Sequence, residues 1–223
     1  MQNWLFDIRS RSFVLLTALF LFLTSLVFFE LTDDFDQNVI LFFSENVGNS
    51  TLDLVMQYVT ESGDVFNMMM FAIIILLIPK TRRVGITLLI LIVISTLLTG
   101  YIKCGVDRDR PFLDWLGSEL PFEVEPDSFS LFCEGRSWTA GFPSGHAARS
   151  AMFAFVMVYV LSEKFPRGVH LIWLYPILMS LSRIYVLQHY PLDVIGGTIL
   201  GIFLAGYVSK RLKLDEIFLP RKI

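Results

Sequence analysis

Apolar residues gather into six runs, at positions 13–29, 65–78, 84–102, 147–161, 169–186 and 194–208, with polar or charged connections between them. Each is too long and too uniformly apolar for a single strand and reads as a helix, although several fall short of the ~20 residues that a bilayer-spanning helix needs. The 65–78 run is the weakest, because its 14 residues would reach only about 21 Å at 1.5 Å per residue. It must borrow polar neighbours, from Ser62 onward, or else lie buried or half-inserted. In the first connection Phe35, Val39, Phe42, Phe43 and Val47 recur at helical spacing with Asp and Asn between them. That pattern predicts an amphipathic helix, either lying on the outer membrane surface or packed as a cap on the bundle.

Composition turns these runs into a membrane protein. Hydrophobic residues make up 54% of the chain and the mean hydropathy is +0.62, above the apolar share of ordinary soluble domains. The expected fold is all-α: a six-helix transmembrane bundle, residues 1–223 forming one domain without repeats or a dividing linker. The net charge of -3 says little; the distribution of charge says more. Arg9, Arg11, Lys80, Arg82, Arg83, Lys164, Arg167, Lys210, Arg211, Lys213, Arg221 and Lys222 all fall on one side if the connections alternate, whereas the stretch from Glu30 to Asp64 has acids and no lysine or arginine. By the positive-inside rule both termini are cytoplasmic in a multi-pass cell-membrane protein, and the third connection faces outward. A signal peptide is the alternative for the first run, but no small-residue cleavage site follows it, so it reads as a retained helix.

The outward connection from Cys104 to Phe142 is rich in acids and in Phe112, Trp115, Leu116, Phe122 and Trp138. Its length leaves two readings open, a lid meeting the membrane interface or a solvated loop with a small core of its own. The chain's two cysteines, Cys104 and Cys133, both lie there, where an oxidising compartment would permit a disulfide worth roughly 3–4 kcal/mol. No Cys/His spacing points to zinc and no acidic spacing to Ca²⁺.

Three polar clusters stand at the ends of apolar runs: Lys103 with Arg110-Pro111, then Pro143-Ser144-Gly145-His146, then Ser182-Arg183 with His189 and Asp193. They contain what phosphoryl transfer requires, namely positive charge around the phosphate oxygens, a nucleophile, and a proton donor for the departing oxygen. Lys103, Arg110 and Arg183 are the cations, the arginines with forks that suit phosphate. Ser144 and Gly145 begin a helix whose amides can receive an anion. Pro191 sits where a helix begins, which leaves His189 outside it and Asp193 in its first turn, able to orient the imidazole. Either His146 or His189 can serve as nucleophile on these grounds, with the proline and Asp193 favouring His189. Arg108 adds to the positive field or pairs with an acid in its loop. Arg149 reads as a headgroup contact, and His170 as an interfacial residue without a role.

Written as KxxxxxxRP, PSGH and SRxxxxxHxxxD, the clusters resemble the three-part signature of the type 2 phosphatidic acid phosphatase superfamily. The resemblance implies a nucleophilic His189 that forms a phosphohistidine, an orienting Asp193 and a proton-donating His146. Lys103, Arg110, Ser144, Gly145, His146 and Arg183 would hold the phosphate, with no metal and no cofactor. It also implies a membrane lipid substrate of the phosphatidic acid, phosphatidylglycerophosphate or polyprenyl diphosphate class, and no nucleic-acid partner; oligomeric state is left open. A lipid phosphotransferase, a phosphatase of soluble esters resembling glucose-6-phosphatase, a vanadate-dependent haloperoxidase and a non-catalytic anion or lipid transporter remain as alternatives. Intact His146, His189 and Asp193 argue against the last, since mere binding does not need a nucleophile with its own orienting acid.

Overall fold

The computed structural model describes residues 4–111, 133 and 139–218. Most of the acidic, aromatic connection lies outside these residues, and with it the choice between lid and solvated loop. The described residues form helices α1 (Arg11–Phe28), α2 (Asp33–Asn46), α3 (Ser50–Ser62), α4 (Val65–Leu77), α5 (Arg82–Val106), α6 (Gly145–Leu161), α7 (Leu174–Tyr185) and α8 (Pro191–Arg211). A 3-10 turn, Val169–Trp173, leads into α7, and another, Leu214–Phe218, follows α8.

Helices α1, α5 and α8 are long and apolar enough to cross a membrane. Helices α3 and α4 pass that test only together, bent by 59° at their junction. The weak 65–78 run therefore does more than borrow a few polar neighbours, because a whole helix precedes it. Local chemistry explains the break: Gly63 caps the end of α3 and Asp64 starts α4 by accepting the Phe66 N–H at 2.7 Å. Helix α6 and the stretch from Val169 to Tyr185 are shorter apolar helices. Outward-facing Val14, Leu15, Leu19, Leu21 and Phe22 leave α1 with an exposed apolar surface, as expected of a helix solvated by lipid tails. The main core forms where Leu88, Leu91 and Ile92 of α5 meet Met152 and Val156 of α6 and Leu200 and Leu204 of α8.

Contact between α6 and α8 is unusually close and it sets the site. A Cβ at Gly197 would lie 2.3 Å from the Ser144 carbonyl oxygen, and one at Gly201 would lie 2.2 Å from that of Ala148. Facing them are the fully buried Ala147, Ala148 and Ala151. Small residues let two backbones approach and gain dispersion contacts, the main attraction available between helices in lipid. The approach brings the start of α6 against the start of α8, where Ser144 donates its N–H to the Asp193 carbonyl at 2.9 Å. Gly201→Val should therefore lower the thermal inactivation midpoint in detergent, with a destabilisation of about 1–3 kcal/mol typical of forced overpacking. An unchanged midpoint would contradict the packing described.

Helix α2 forms where the apolar spacing placed it, but only part of the apolar face docks. Asp36 and Ile40 are its buried residues, Val39 and Phe43 pack beside Ile40 against α6–α8, and Phe35 and Phe42 remain exposed. It caps the bundle with one face and offers two aromatic rings on another.

Candidate active site

Lys103 lies in the last turn of α5 and is buried. The helix stops at Asp107, which takes a left-handed conformation (φ 53°) and returns its N–H to the Lys103 carbonyl. The chain then carries Arg108 and Arg110 across the bundle end, tied down by the Gly141 N–H donating to the Arg108 carbonyl at 2.7 Å. Glycine is needed at 141 for space: a Cβ there would stand 2.9 Å from Asp193 Oδ2 and 3.2 Å from the Asp109 carbonyl oxygen. Phe142, fully buried against Leu23, Val27 and Leu192, anchors this segment just before the Pro143-Ser144-Gly145-His146 turn. Ser144 is the N-cap of α6, its hydroxyl 3.5 Å from the Ala147 N–H.

The third cluster is built around the end of α7. The Arg183 carbonyl accepts from both the Gln188 and His189 N–H groups, at 3.1 and 3.2 Å, in a turn that passes through a left-handed Leu187 (φ 51°). Tyr190 is extended, as a residue before proline should be, and Pro191 opens α8. Asp193 is consequently the third residue of the helix, and its Oδ2 accepts the Tyr190 N–H at 2.9 Å. The same oxygen stands 3.4 Å from His189 Nδ1, a longer separation than a formed hydrogen bond. Both side chains are buried, and Nδ1 has no hydrogen-bond partner among the described residues.

Around the two histidines the cations converge. Arg183, Arg110 and Lys103 all act electrostatically on both His146 and His189, and His189 also feels His146. Arg183 donates from Nη1 to the Thr60 hydroxyl of α3 at 3.0 Å, and Arg110 donates to the Gln188 side-chain carbonyl. Burial pushes His189 well below the ordinary histidine value of 6.5, and Arg183, Arg110 and Lys103 push it the same way. The imidazole is therefore neutral near pH 7.

Lys103, Arg110, Ser144, Gly145, His146, Arg183, His189 and Asp193 gather at one end of the bundle, His170 lies apart on the 3-10 turn before α7, and the two cysteines are joined as a disulfide with Cα atoms 5.9 Å apart. Two readings are corrected. Arg108 is not a spare cation of the cradle and its partners are not acids of its own loop: it pairs with Asp193 at 2.9 Å and with Asp33 and Asp36 of α2 at 3.0 and 2.7 Å. Arg149 does not reach outward to headgroups. It is buried, donates from Nε to the Gly63 carbonyl at 3.1 Å, and acts electrostatically on His146. Its guanidinium folds back along α6 to within 3.0 Å of where a Gly145 Cβ would stand, the direction in which helical side chains lean. Spacing three residues from His146 was the available signal. Thr60, Asp36 and Gln188 had none, since each meets the site from a distant or unpatterned segment.

Known proteins resemble this chain in sequence and in fold. The chain is 30% identical over 156 residues to an undecaprenyl-diphosphatase from Sulfolobus acidocaldarius, covering 70% of this chain and 68% of that protein. It is 25% identical to a lipid A 4'-phosphatase from Bacteroides thetaiotaomicron, over 83% of this chain and 84% of that one. The human glucose-6-phosphatase 3 is matched at 25% identity over 61% of this chain but only 42% of its own length. The fold is shared with the crystal structure of a transmembrane PAP2 type phosphatidylglycerolphosphate phosphatase from Bacillus subtilis, at a TM-score of 0.70 and 21% identity, covering 96% of this chain and 100% of that one. The model of the PAP2 superfamily matches residues 83–214, which include all three clusters. By this match and by its phosphatase relatives the chain belongs to the PAP2 superfamily.

Proposed function

We propose that this chain is an integral membrane phosphatase that hydrolyses a lipid phosphate or diphosphate at the outer membrane face through a phosphohistidine on His189. The observation that carries the reading is a buried His189 whose Nδ1 stands 3.4 Å from Asp193 Oδ2, with Lys103, Arg110 and Arg183 acting on it electrostatically. Asp193 faces Nδ1, which leaves Nε2 to attack phosphorus. The negative charge of the bound phosphate offsets the neighbouring cations and lets His146 enter the step as an imidazolium; as the N–P bond forms, the bond from phosphorus to the leaving oxygen breaks, and His146 delivers its proton to that oxygen. His146 then takes a proton from water, whose oxygen attacks the phosphohistidine; the N–P bond breaks and inorganic phosphate leaves. Lys103, Arg110 and Arg183, with the Ser144 hydroxyl and the Gly145 amide, stabilise charge on the phosphoryl oxygens, the task a metal ion performs in other phosphatases.

The outer-face assignment rests on the distribution of lysine and arginine and on the disulfide, a bond favoured outside the cytosol. Placement of Lys103, His146 and His189 at the ends of apolar helices favours a lipid, whose chains would remain level with the bilayer while its headgroup enters the cradle. The names of the undecaprenyl and lipid A relatives support the same substrate class.

Phosphate release from purified protein in mixed micelles, measured with EDTA present, tests both parts. The expected result is sustained turnover of phosphatidic acid, phosphatidylglycerophosphate or a polyprenyl diphosphate, rising with chain length until the substrate is membrane-bound. Activity lost to EDTA and restored by Mg²⁺ would overturn the metal-free mechanism. Equal efficiency on a short water-soluble ester would overturn the lipid reading.

A further inference from the structure

Arg108 and Asp36 lie outside the residues assigned above to phosphate or chemistry, yet they are built into the site. Arg108 uses its two terminal nitrogens differently. Nη1 donates to Asp193 Oδ1 at 2.9 Å, while Nη2 donates to Asp33 Oδ1 at 3.0 Å and Asp36 Oδ2 at 2.7 Å. Its carbon stands 4.3 Å from the centre of the Tyr190 ring, a cation–π contact with the residue that caps α8. Asp36 is fully buried, and its other oxygen accepts the Leu192 N–H in the first turn of α8 at 3.2 Å. Burial pushes Asp36 above the ordinary carboxylate range, and Arg108 is the first of the groups that oppose this.

From these contacts we infer that Asp36 and Arg108 are positioning residues for the nucleophile, joining the surface helix α2 to Asp193 and through it to His189. This rests on the reading of His189 as nucleophile. A guanidinium is a planar fork, so occupying Nη2 with the two acids of α2 dictates where Nη1 points. That direction is Asp193 Oδ1, which leaves Oδ2 facing His189 Nδ1. Charge matters as much as direction. A buried carboxylate without a cation tends to hold a proton, and a carboxyl group in that form is a poor acceptor for an imidazole N–H. Asp33, Asp36 and Asp193 would also repel one another if the guanidinium were absent. Seating of α2 on the bundle is thereby made a condition for an ordered His189.

A double-mutant cycle on kcat in detergent micelles tests the inference, using Arg108→Gln, Asp193→Asn and the pair. Arg108→Gln should lower kcat by roughly tenfold to a hundredfold, the usual size for an outer partner of a site residue, with KM little changed. In the pair the loss should be no greater than that of Asp193→Asn alone, because the arginine acts through the carboxylate. Arg108→Lys should recover part of the loss by keeping the charge. Multiplicative losses, or an effect confined to KM, would overturn the inference, the latter by making Arg108 a headgroup ligand. If Arg108→Gln does not fold, Asp36→Asn supplies the same cycle, since its amide oxygen can still accept the Leu192 N–H. Should His189→Ala retain turnover, the nucleophile reading fails by itself, whatever the cycle returns.

Discussion

His189→Ala is expected to abolish turnover, a loss on the order of 10⁴–10⁶ in kcat as for other removed nucleophiles, while vanadate or substrate still binds. Binding should survive because the groups proposed to hold the phosphate, Lys103, Arg110 and Arg183, come from α5, the segment after it and α7, with Arg110 donating to Gln188 and Arg183 to Thr60. Acid quenching with labelled substrate should trap a phosphorylated intermediate in the unaltered protein and none in the variant. Full loss of vanadate binding together with turnover would make His189 a ligand. The pH profile supplies a second check with a definite sign. His189 is held well below 6.5 by burial and by neighbouring cations, so it becomes protonated and loses nucleophilicity only at more acid pH. After allowance for the substrate's own phosphate ionisation, the acid limb of kcat/KM should therefore lie below pH 6.5. A limb at or above that value would contradict a neutral buried nucleophile.

For His146→Ala the expected loss depends on the substrate. A positioned general acid contributes about 10² to 10⁴ in rate, and most of it is needed when the departing oxygen is a poor leaving group. Lipid alkyl phosphates should lose that whole factor, whereas an aryl phosphate or a diphosphate, whose leaving group departs with less help, should lose much less. His146 stands in the first turn of α6, its ring 3.2 Å from the position a Gly63 Cβ would take at the α3–α4 break. Steady-state kcat across a leaving-group series decides the matter. Equal damage to good and poor leaving groups would leave His146 as a phosphate ligand only.

These two histidines also mark how far sequence could carry the argument. That His189 stands outside a helix and Asp193 within its first turn followed from Pro191, because proline's fixed φ and its effect on the preceding residue are local rules. The start of α6 at the Ser-Gly pair, the helix at 33–46, and a helix at each of the six apolar runs followed for the same reason: caps and a 3.6-residue period are written in neighbouring positions. Electrostatic logic was partly legible too, since three cations kept at one end of apolar helices call for an anion.

What the tertiary structure decided is partner choice. Arg108 was readable as a cation but not as the partner of Asp193, because residues 36, 108 and 193 meet only once α2 docks and α8 packs against α6 through Gly197 and Gly201. Arg149 turns inward because Gly63, exposed as a hydrogen-bond acceptor by the break between α3 and α4, gives its guanidinium a buried carbonyl. Thr60, in the last turn of α3 beside that junction, accepts from Arg183 of α7. Local sequence determined the helices of the six apolar runs and α2, and which side chains stand at their ends, whereas α3, outside any continuous apolar run, emerged only in the structure. Which of those ends touch, and so which charge serves phosphate and which serves another side chain, depended on close packing between segments far apart in the chain, for which no periodic signal exists.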